Sequence, residues 1–237
     1  MQAQLIVMLT HNDVTVKDAA AVFDACKDLP VKFWGFKNVG ISREETRALL
    51  DAMKKHGKTT CLEVVTFTEE SCLDAARMAV EFGFDYFTGT VFYQSVADYL
   101  SDKPIRYYPF VGDVSGSPCI LEGTMEEIAE DCRRLEAAGA HGVDLIAYRY
   151  IDGDPVALAK KVVAASKKEV ILAGSISSEE RIRIVNNINP FAFTMGSALF
   201  EKQFVADGDV RANLQKVIAL MNAIPTLQAT EEDTHEQ

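Results

Sequence analysis

The feature that most constrains the fold of this chain is a unit of sequence that repeats eight times. In each unit a short apolar run precedes a segment with the spacing of an amphipathic helix. The runs are apolar on successive residues, which is typical of parallel strands buried on both faces. The eight predicted strands are Leu5–Thr10, Lys32–Lys37, Thr59–Thr66, Tyr86–Val91, Ile105–Val111, Gly142–Ala147, Glu169–Ala173 and Phe191–Met195.

Helix boundary signals lie between these runs. Four predicted helices begin with a hydroxyl residue followed by acidic residues, at Ser42, Thr68, Thr124 and Ser178. The first loop, from Thr10 to Val14, contains no glycine, so the chain lacks the glycine-rich turn of an open doubly wound sheet. We therefore predict an α/β fold, a single-domain (β/α)8 TIM barrel over residues 1–227, and an acidic, disordered tail over residues 228–237.

Composition limits the partners and the compartment. The chain has 237 residues and a net charge of −11, which argues against a nucleic-acid partner but not against a phosphorylated metabolite. Five cysteines show no paired spacing, and no apolar run is long enough to span a membrane. We expect a cytoplasmic protein without membrane association, and a homodimer is the common default for such barrels.

Two short segments predict a phosphate site. Gly174-Ser175-Ile176 follows the seventh strand, and Gly196-Ser197-Ala198 follows the eighth. Glycine lets the backbone approach an anion, and barrels commonly bind phosphate at the loops after these two strands. Either segment alone has a composition that is common in turns. Their matching positions after the last two strands favour phosphate binding.

These segments resemble the phosphate motifs of the ribulose-phosphate-binding barrels, a superfamily of sugar-phosphate epimerases, isomerases and lyases. The resemblance covers the whole chain in topology but only about a dozen residues in motif. It implies phosphate binding by Gly174, Ser175, Gly196 and Ser197. The Asp-x-Lys-x-x-Asp motif of the keto-gulonate-phosphate decarboxylases is absent from Leu62–Thr66. The paired histidines of the pentose-phosphate epimerases are absent as well, so no single member is matched.

Candidate catalytic residues lie at the predicted strand ends. Lys37 follows an apolar strand, and alternation places it inside the barrel. There, either burial lowers its pKa or a carboxylate anchors its charge. Glu63 is its candidate partner, as a catalytic group or as a structural ion pair. Asp13 and Asp144 are candidates for an acid–base pair, although Asp13 is also placed to cap a first helix near Val16.

Four more polar residues are predicted to bind substrate, namely His11, Asn12, Thr88 and Arg149. His11, Asp13, Glu63 and Asp144 include enough donors for a divalent ion. No metal-binding spacing supports one, so we predict no metal and no other cofactor. The loop 112–118 has the composition of a lid, or of an ordered connection to the next helix.

Three functions follow from this pattern. The first is an enzyme that epimerises or isomerises a phosphorylated sugar or keto-compound by proton transfer next to a carbonyl. The second is an aldolase-type lyase in which Lys37 forms a Schiff base. The third is a protein that binds a phosphorylated ligand without turnover.

Overall fold

The computed structural model describes residues 2–224 and confirms the predicted barrel. Its eight parallel strands are β1 (Gln4–Met8), β2 (Phe33–Lys37), β3 (Thr59–Val64), β4 (Tyr86–Gly89), β5 (Arg106–Tyr108), β6 (Gly142–Leu145), β7 (Glu169–Leu172) and β8 (Ala192–Met195). They are hydrogen bonded in the order β6-β7-β8-β1-β2-β3-β4-β5. A parallel bridge between Phe110, two residues after β5, and Asp144 on β6 closes the barrel. The predicted tail, 228–237, lies outside the described residues.

Helices cover the outside of the barrel. They are α1 (Ala19–Cys26), α2 (Arg43–Lys55), α3 (Glu69–Phe82), α4 (Gln94–Leu100), α5 (Met125–Ala137), α6 (Pro155–Ala165), α7 (Glu179–Ile188), α8 (Ser197–Phe200) and α9 (Val210–Ala223). The four predicted N-caps are confirmed, because each hydroxyl accepts a backbone N–H in the first turn of its helix, at Ser42, Thr68, Thr124 and Ser178. Over residues 2–224, every helix is too short or too polar to cross a membrane.

The predicted strands are mostly too long at their carboxyl ends. The third strand ends at Val64 instead of Thr66, and the fourth ends at Gly89 instead of Val91. Gly89 and Thr90 both adopt positive φ angles, of 72° and 70°. This left-handed backbone cannot continue a strand, so the chain turns away from the barrel at that point.

Side chains separate into two cores. Residues that alternate inward form an apolar plug inside the barrel, which consists of Ile6, Met8, Phe33, Cys61, Tyr86, Tyr108, Ile171 and Ala192. Outward residues such as Trp34 and Phe36 pack against the helices. Seven of the eight strands contribute to both cores, as expected for a sheet buried on both faces, and β6 contributes only to the outer one. The inward positions closer to the carboxyl ends carry polar groups, so a polar layer lies above the apolar plug.

Gly35 occupies an inward position between the two layers. A Cβ atom at this position would lie 2.7 Å from the Met8 sulfur and 2.9 Å from the Cys61 carbonyl oxygen. The sulfur can move, but the carbonyl belongs to the neighbouring strand. Only glycine therefore fits beneath Lys37 without widening the barrel.

We predict that Gly35→Ala lowers the free energy of unfolding by about 1–3 kcal/mol, because the added methyl overpacks the barrel interior. Urea denaturation measures the loss. Ala20→Val, at an exposed site of α1, adds bulk without this clash and should cost less than 1 kcal/mol or so. An equal loss in both variants would contradict this account of Gly35.

Candidate active site

A cleft opens at the carboxyl ends of the strands. Its wall includes four charged side chains, those of Asp13, Lys37, Glu63 and Arg149. It also includes both predicted phosphate segments, Gly174–Ile176 and Gly196–Ala198. The structure thus brings the candidate catalytic lysine and the candidate phosphate grip into one cleft.

A small hairpin after β1 carries Asp13 into this cleft. Residues Thr10–His11 pair antiparallel with Val14–Thr15. Asn12 and Asp13 form the turn, with φ angles of 50° and 61°, and two consecutive positive φ angles are the signature of a type I′ turn. The first helix, α1, begins at Ala19, three residues later than the predicted start near Val16, and its N-cap is Asp18. Asp13 therefore does not cap a helix, because the hairpin directs it toward the barrel axis.

Thr15 fastens the hairpin to the end of β2. Its hydroxyl donates to the Lys37 carbonyl oxygen at 2.8 Å and accepts the Lys37 backbone N–H at 2.9 Å. The Thr15 backbone N–H donates to the Val39 carbonyl at 3.0 Å. Because these bonds involve the backbone of Lys37 itself, the positions of Asp13 and Lys37 are set together.

Lys37 is buried between two carboxylates. Its Nζ lies 3.0 Å from Asp13 Oδ1 and 3.2 Å from Glu63 Oε1, and only 5% of the residue is exposed. Burial alone would lower the pKa of Lys37, but the charges of Glu63 and Asp13 outweigh it and raise the pKa above its ordinary value. The sequence predicts either a lowered pKa for Lys37 or a positive charge held by a carboxylate. The structure shows the second of these, so Lys37 is an ammonium.

Arg149 holds the other side of Asp13. It follows β6 at the end of a short 3₁₀ turn, Ala147–Arg149, and donates two hydrogen bonds of 2.6 and 2.8 Å to the Asp13 carboxylate. Burial opposes ionisation of Asp13, but the bonds from Arg149 and Lys37 hold the pKa of this carboxyl well below its usual value. Asp13 is therefore a fixed anion that positions Lys37, and it is a poor proton acceptor.

The two phosphate segments have backbones suited to an anion. Gly174 and Ser175 adopt positive φ angles of 82° and 49°, and helix α8 begins directly after Gly196. The first N–H groups of a helix have no acceptor within the helix. A Cβ at Gly196 would lie 2.6 Å from the Thr10 hydroxyl oxygen and 2.9 Å from the Thr10 carbonyl. Both glycines are thus required by the backbone geometry at the cleft wall.

Asp144 and the four predicted substrate residues lie in different places. Asp144 and Thr88 are buried in the barrel, beneath the surface of the cleft. His11 lies on the rim, where its Nε2 is 3.3 Å from a Glu201 carboxylate oxygen. Asn12 lines an outer cavity that shares Arg149 with the cleft. Of the four, Arg149 alone reaches the cleft itself.

The loop 112–118 is part of an ordered hairpin. Its residues Asp113–Ser115 pair antiparallel with Ile120–Glu122, and Cys119 is buried against the cleft. The Cys119 carbonyl oxygen accepts a bond of 3.3 Å from Arg149. Sequence reasoning missed Cys119 as a cleft residue, and an isolated cysteine in a loop carries no signal of that role.

Sequence reasoning also missed Thr10 and Thr194, which line the cleft. Thr194 points into the barrel, as Ala192 does two residues earlier on β8. The alternation of side chains along a strand therefore predicts Thr194 as an inward residue. No group of three histidine, cysteine, aspartate or glutamate side chains within residues 2–224 is arranged to hold a metal ion.

Comparison with known proteins identifies relatives by fold. No protein-family model matches the chain, and no curated protein matches its sequence. Orotidine 5'-phosphate decarboxylase from Pyrococcus horikoshii OT3 superposes with a TM-score of 0.68 at 11% identity, over 93% of this chain and 100% of that one. Tryptophan synthase from M. tuberculosis gives 0.66 at 16% identity, over 93% and 94%.

The native KDPGal structure gives a TM-score of 0.65 at 14% identity, over 94% of this chain and 100% of that one. All three neighbours superpose on this chain over more than nine-tenths of its length. At these identities the likeness establishes the shared barrel fold. The chemistry of this chain has to be argued from its own residues.

We predict that Thr15→Val lowers the free energy of unfolding by about 1–3 kcal/mol, because it leaves the backbone N–H and carbonyl of buried Lys37 without their partner. Urea denaturation measures the change. Thr46→Val is the matched control, since the Thr46 hydroxyl bonds a Ser42 carbonyl that also accepts a backbone N–H. The account of the hairpin fails if both variants lose the same free energy.

Proposed function

We propose that this protein is an enzyme that acts on a phosphorylated sugar or small keto-compound by proton transfer next to a carbonyl. The observation that carries the proposal is the position of the Lys37 ammonium. It is ion paired with Asp13 and Glu63 at the wall of the cleft that also contains Gly174–Ile176 and Gly196–Ala198. One cleft therefore combines a charged proton donor with a candidate anchor for phosphate.

The phosphate end supplies binding energy and orientation. A phosphate held by the backbone of the two segments would be remote from the reacting carbons. Binding energy from such a remote group orients the substrate and lowers the barrier of the chemical step. The segments follow β7 and β8, and Lys37 lies on β2, so β1 alone separates β8 from the strand of Lys37 in the order of the barrel.

The charge states of the ion pairs indicate which residue would remove the substrate proton. Glu63 lacks the arginine that fixes Asp13, so it is the better candidate to remove a proton from the carbon next to the carbonyl. The Lys37 ammonium then stabilises the oxygen of the resulting enediolate, where negative charge develops. Delivery of a proton to the opposite face of the same carbon gives an epimer. This step needs a second donor, for which the Lys37 ammonium is the candidate, while Glu63 keeps the proton that it removed. Return of the proton to the neighbouring carbon gives an aldose–ketose isomer.

A Schiff-base lyase is the second candidate. A buried lysine at the mouth of a barrel favours it. Its first step requires Lys37 as a neutral amine. The two carboxylates beside Lys37 oppose that state, which is why proton transfer is the preferred function.

For the phosphate grip, we predict that inorganic phosphate raises the unfolding temperature of the wild-type protein, and that Gly174→Ala and Gly196→Ala together abolish this protection. The first change strains a positive φ, and the second closes the space beside Thr10. Gly57→Ala is the matched control, because Gly57 also has a positive φ, of 68°, but lies in open space. Protection that survives in the double variant would refute the grip.

For the chemistry, we predict exchange of the proton next to the carbonyl when the protein is incubated with ketose and aldose phosphates in D₂O. Proton NMR measures the loss of that signal and identifies the product. Lys37→Gln should slow exchange by about 100- to 10,000-fold, the usual contribution of a positioned acid or base. Lys17→Gln, at an exposed site, should leave it unchanged.

Three outcomes separate the candidate functions. Exchange without trapping by borohydride supports proton transfer. A reduced adduct on Lys37 after borohydride treatment supports the lyase and contradicts the preferred function. Phosphate protection without exchange or adduct, across the panel of sugar phosphates, supports a protein that binds without turnover.

A further inference from the structure

The side chain of Arg149 extends along the cleft wall from one phosphate segment to the hairpin that carries Asp13. Its stem packs against Gly174, because a Cβ atom added to Gly174 would lie 3.2 Å from Arg149 Cγ, 3.6 Å from Cδ and 3.7 Å from Nε. Its guanidinium group donates hydrogen bonds of 2.6 and 2.8 Å to the Asp13 carboxylate. Arg149 therefore contacts both a phosphate segment and the ion pair of Lys37.

Arg149 has more N–H donors than the protein uses. A guanidinium group has five. Two of them donate to Asp13, from Nη1 and Nη2, and the second N–H of Nη1 donates to the Cys119 carbonyl oxygen at 3.3 Å. Within residues 2–224, the Nε–H and the second N–H of Nη2 have no hydrogen-bond acceptor. The side chain is 24% exposed and lines the cleft, so these two donors are open to a ligand.

The two open donors share one edge of the planar guanidinium group. Nε–H and the outer N–H of Nη2 point in the same direction, and together they form a fork for two acceptor oxygens. Arginine binds carboxylates and phosphates through such forks. The Nη1–Nη2 edge of Arg149 is occupied by Asp13, whereas its Nε–Nη2 edge begins at the atom that lies 3.7 Å from the Cβ position of Gly174.

The charges of the cleft wall explain why a phosphate would use this edge. Lys37 and Arg149 carry two positive charges, and Asp13 and Glu63 carry two negative charges. The wall therefore has no excess positive charge to offset a phosphate group, and Lys37 is already held between two carboxylates. Charge-assisted hydrogen bonds compensate the loss of hydration of a bound anion. Arg149 is the cation that packs against a phosphate segment.

We propose that Arg149 is shared between Asp13 and the phosphate of the substrate, with its Nη1–Nη2 edge on the carboxylate and its Nε–Nη2 edge on the phosphate. The loop after β6 then contributes a side chain to the phosphate site, beside the backbone of the loops after β7 and β8. This inference rests on the proposed function for the presence of a phosphorylated ligand. It assigns to Arg149 the recognition of the phosphate charge.

Sharing of Arg149 links the phosphate to Lys37. In the free protein, the Asp13 carboxylate is paired with both Arg149 and Lys37. A bound phosphate competes for the charge of Arg149, so Asp13 interacts more strongly with the Lys37 ammonium. The effect is reciprocal, since two linked equilibria change each other by the same factor. Phosphate binding thus favours the charged Lys37 that proton transfer uses and opposes the neutral amine that a Schiff base requires.

Titration with inorganic phosphate tests the role of Arg149 without any substrate. Arg149→Lys keeps the positive charge but lacks the planar fork. We expect it to weaken phosphate binding about 10- to 100-fold, the net contribution of a hydrogen bond to a charged group, as measured by calorimetry. Arg183→Lys, at an exposed site of α7, is the matched control and should bind phosphate as the wild type does. Equal affinity in Arg149→Lys and the wild type would overturn the proposal.

A purely structural role of Arg149 predicts a different pattern. If Arg149 only anchors Asp13, then Asp13→Asn and Arg149→Lys disturb the same contact, and both weaken phosphate binding. If Arg149 is shared, Asp13→Asn removes the competing carboxylate, so phosphate binding strengthens in this variant and weakens in Arg149→Lys. Weakening in both variants would contradict the sharing.

NMR spectroscopy of the arginine Nε–H groups tests the contact itself. The Arg149 signal is identified by its absence from the spectrum of Arg149→Lys. In the wild type, we expect this signal to shift on addition of inorganic phosphate, because the Nε–H gains an acceptor. The Arg183 signal, assigned in the same way, should stay in place. An Arg149 signal that does not move at saturating phosphate would refute the contact.

The outcomes separate this inference from the proposed function. If the wild type does not bind inorganic phosphate, the phosphate grip and the shared arginine both fail. If it binds phosphate and Arg149→Lys binds equally well, the grip stands and the shared arginine fails. If phosphate binding depends on Arg149 but no sugar phosphate exchanges a proton, the proposed chemistry fails and the shared arginine stands.

Discussion

The buried ammonium of Lys37 is the interaction on which the architecture of the cleft depends. An isolated charge inside a barrel is costly, so it requires carboxylates with good geometry. Glu63 comes from the adjacent strand, where the register places it directly beside Lys37. Asp13 comes from a hairpin after β1 that closes back over the strand ends. Arg149, from the segment after β6, fixes Asp13 in turn. The mouth of the barrel is thus joined across its width by one chain of charges.

The barrel beneath supplies the dry surroundings that give these charges their strength. Aromatic and aliphatic side chains fill its lower interior, and glycine at position 35 lets the neighbouring strands approach beneath Lys37. Electrostatic interactions are stronger in such a medium than in water. The same medium raises the cost of an unpaired carboxylate. The buried ion pairs at the mouth of the barrel therefore affect both the stability of the fold and the proposed chemistry.

Local signals allowed the sequence to predict the scaffold. Strand runs, N-caps and the two glycine segments depend on a few neighbouring residues, and the inward direction of Lys37 depends on a period of two. The ion pair of Lys37 with Glu63 could be predicted from the sequence because the two residues lie on adjacent strands. The bond between Asp13 and Arg149 was not, since these residues are 136 positions apart and no pattern connects them. The Asn12–Asp13 turn was missed because these residues suit a helix cap as well as a type I′ turn.

The central claim is that one cleft holds phosphate at one end and an ion-paired ammonium at the other. A crystal structure of the protein grown in inorganic phosphate tests it most directly. The account predicts an anion bound by backbone N–H groups of Gly174–Ile176 and Gly196–Ala198. It also predicts Lys37 between Asp13 and Glu63, facing open space beside that anion. An ordered phosphate elsewhere with these segments empty, or Lys37 turned away from both carboxylates, would contradict it.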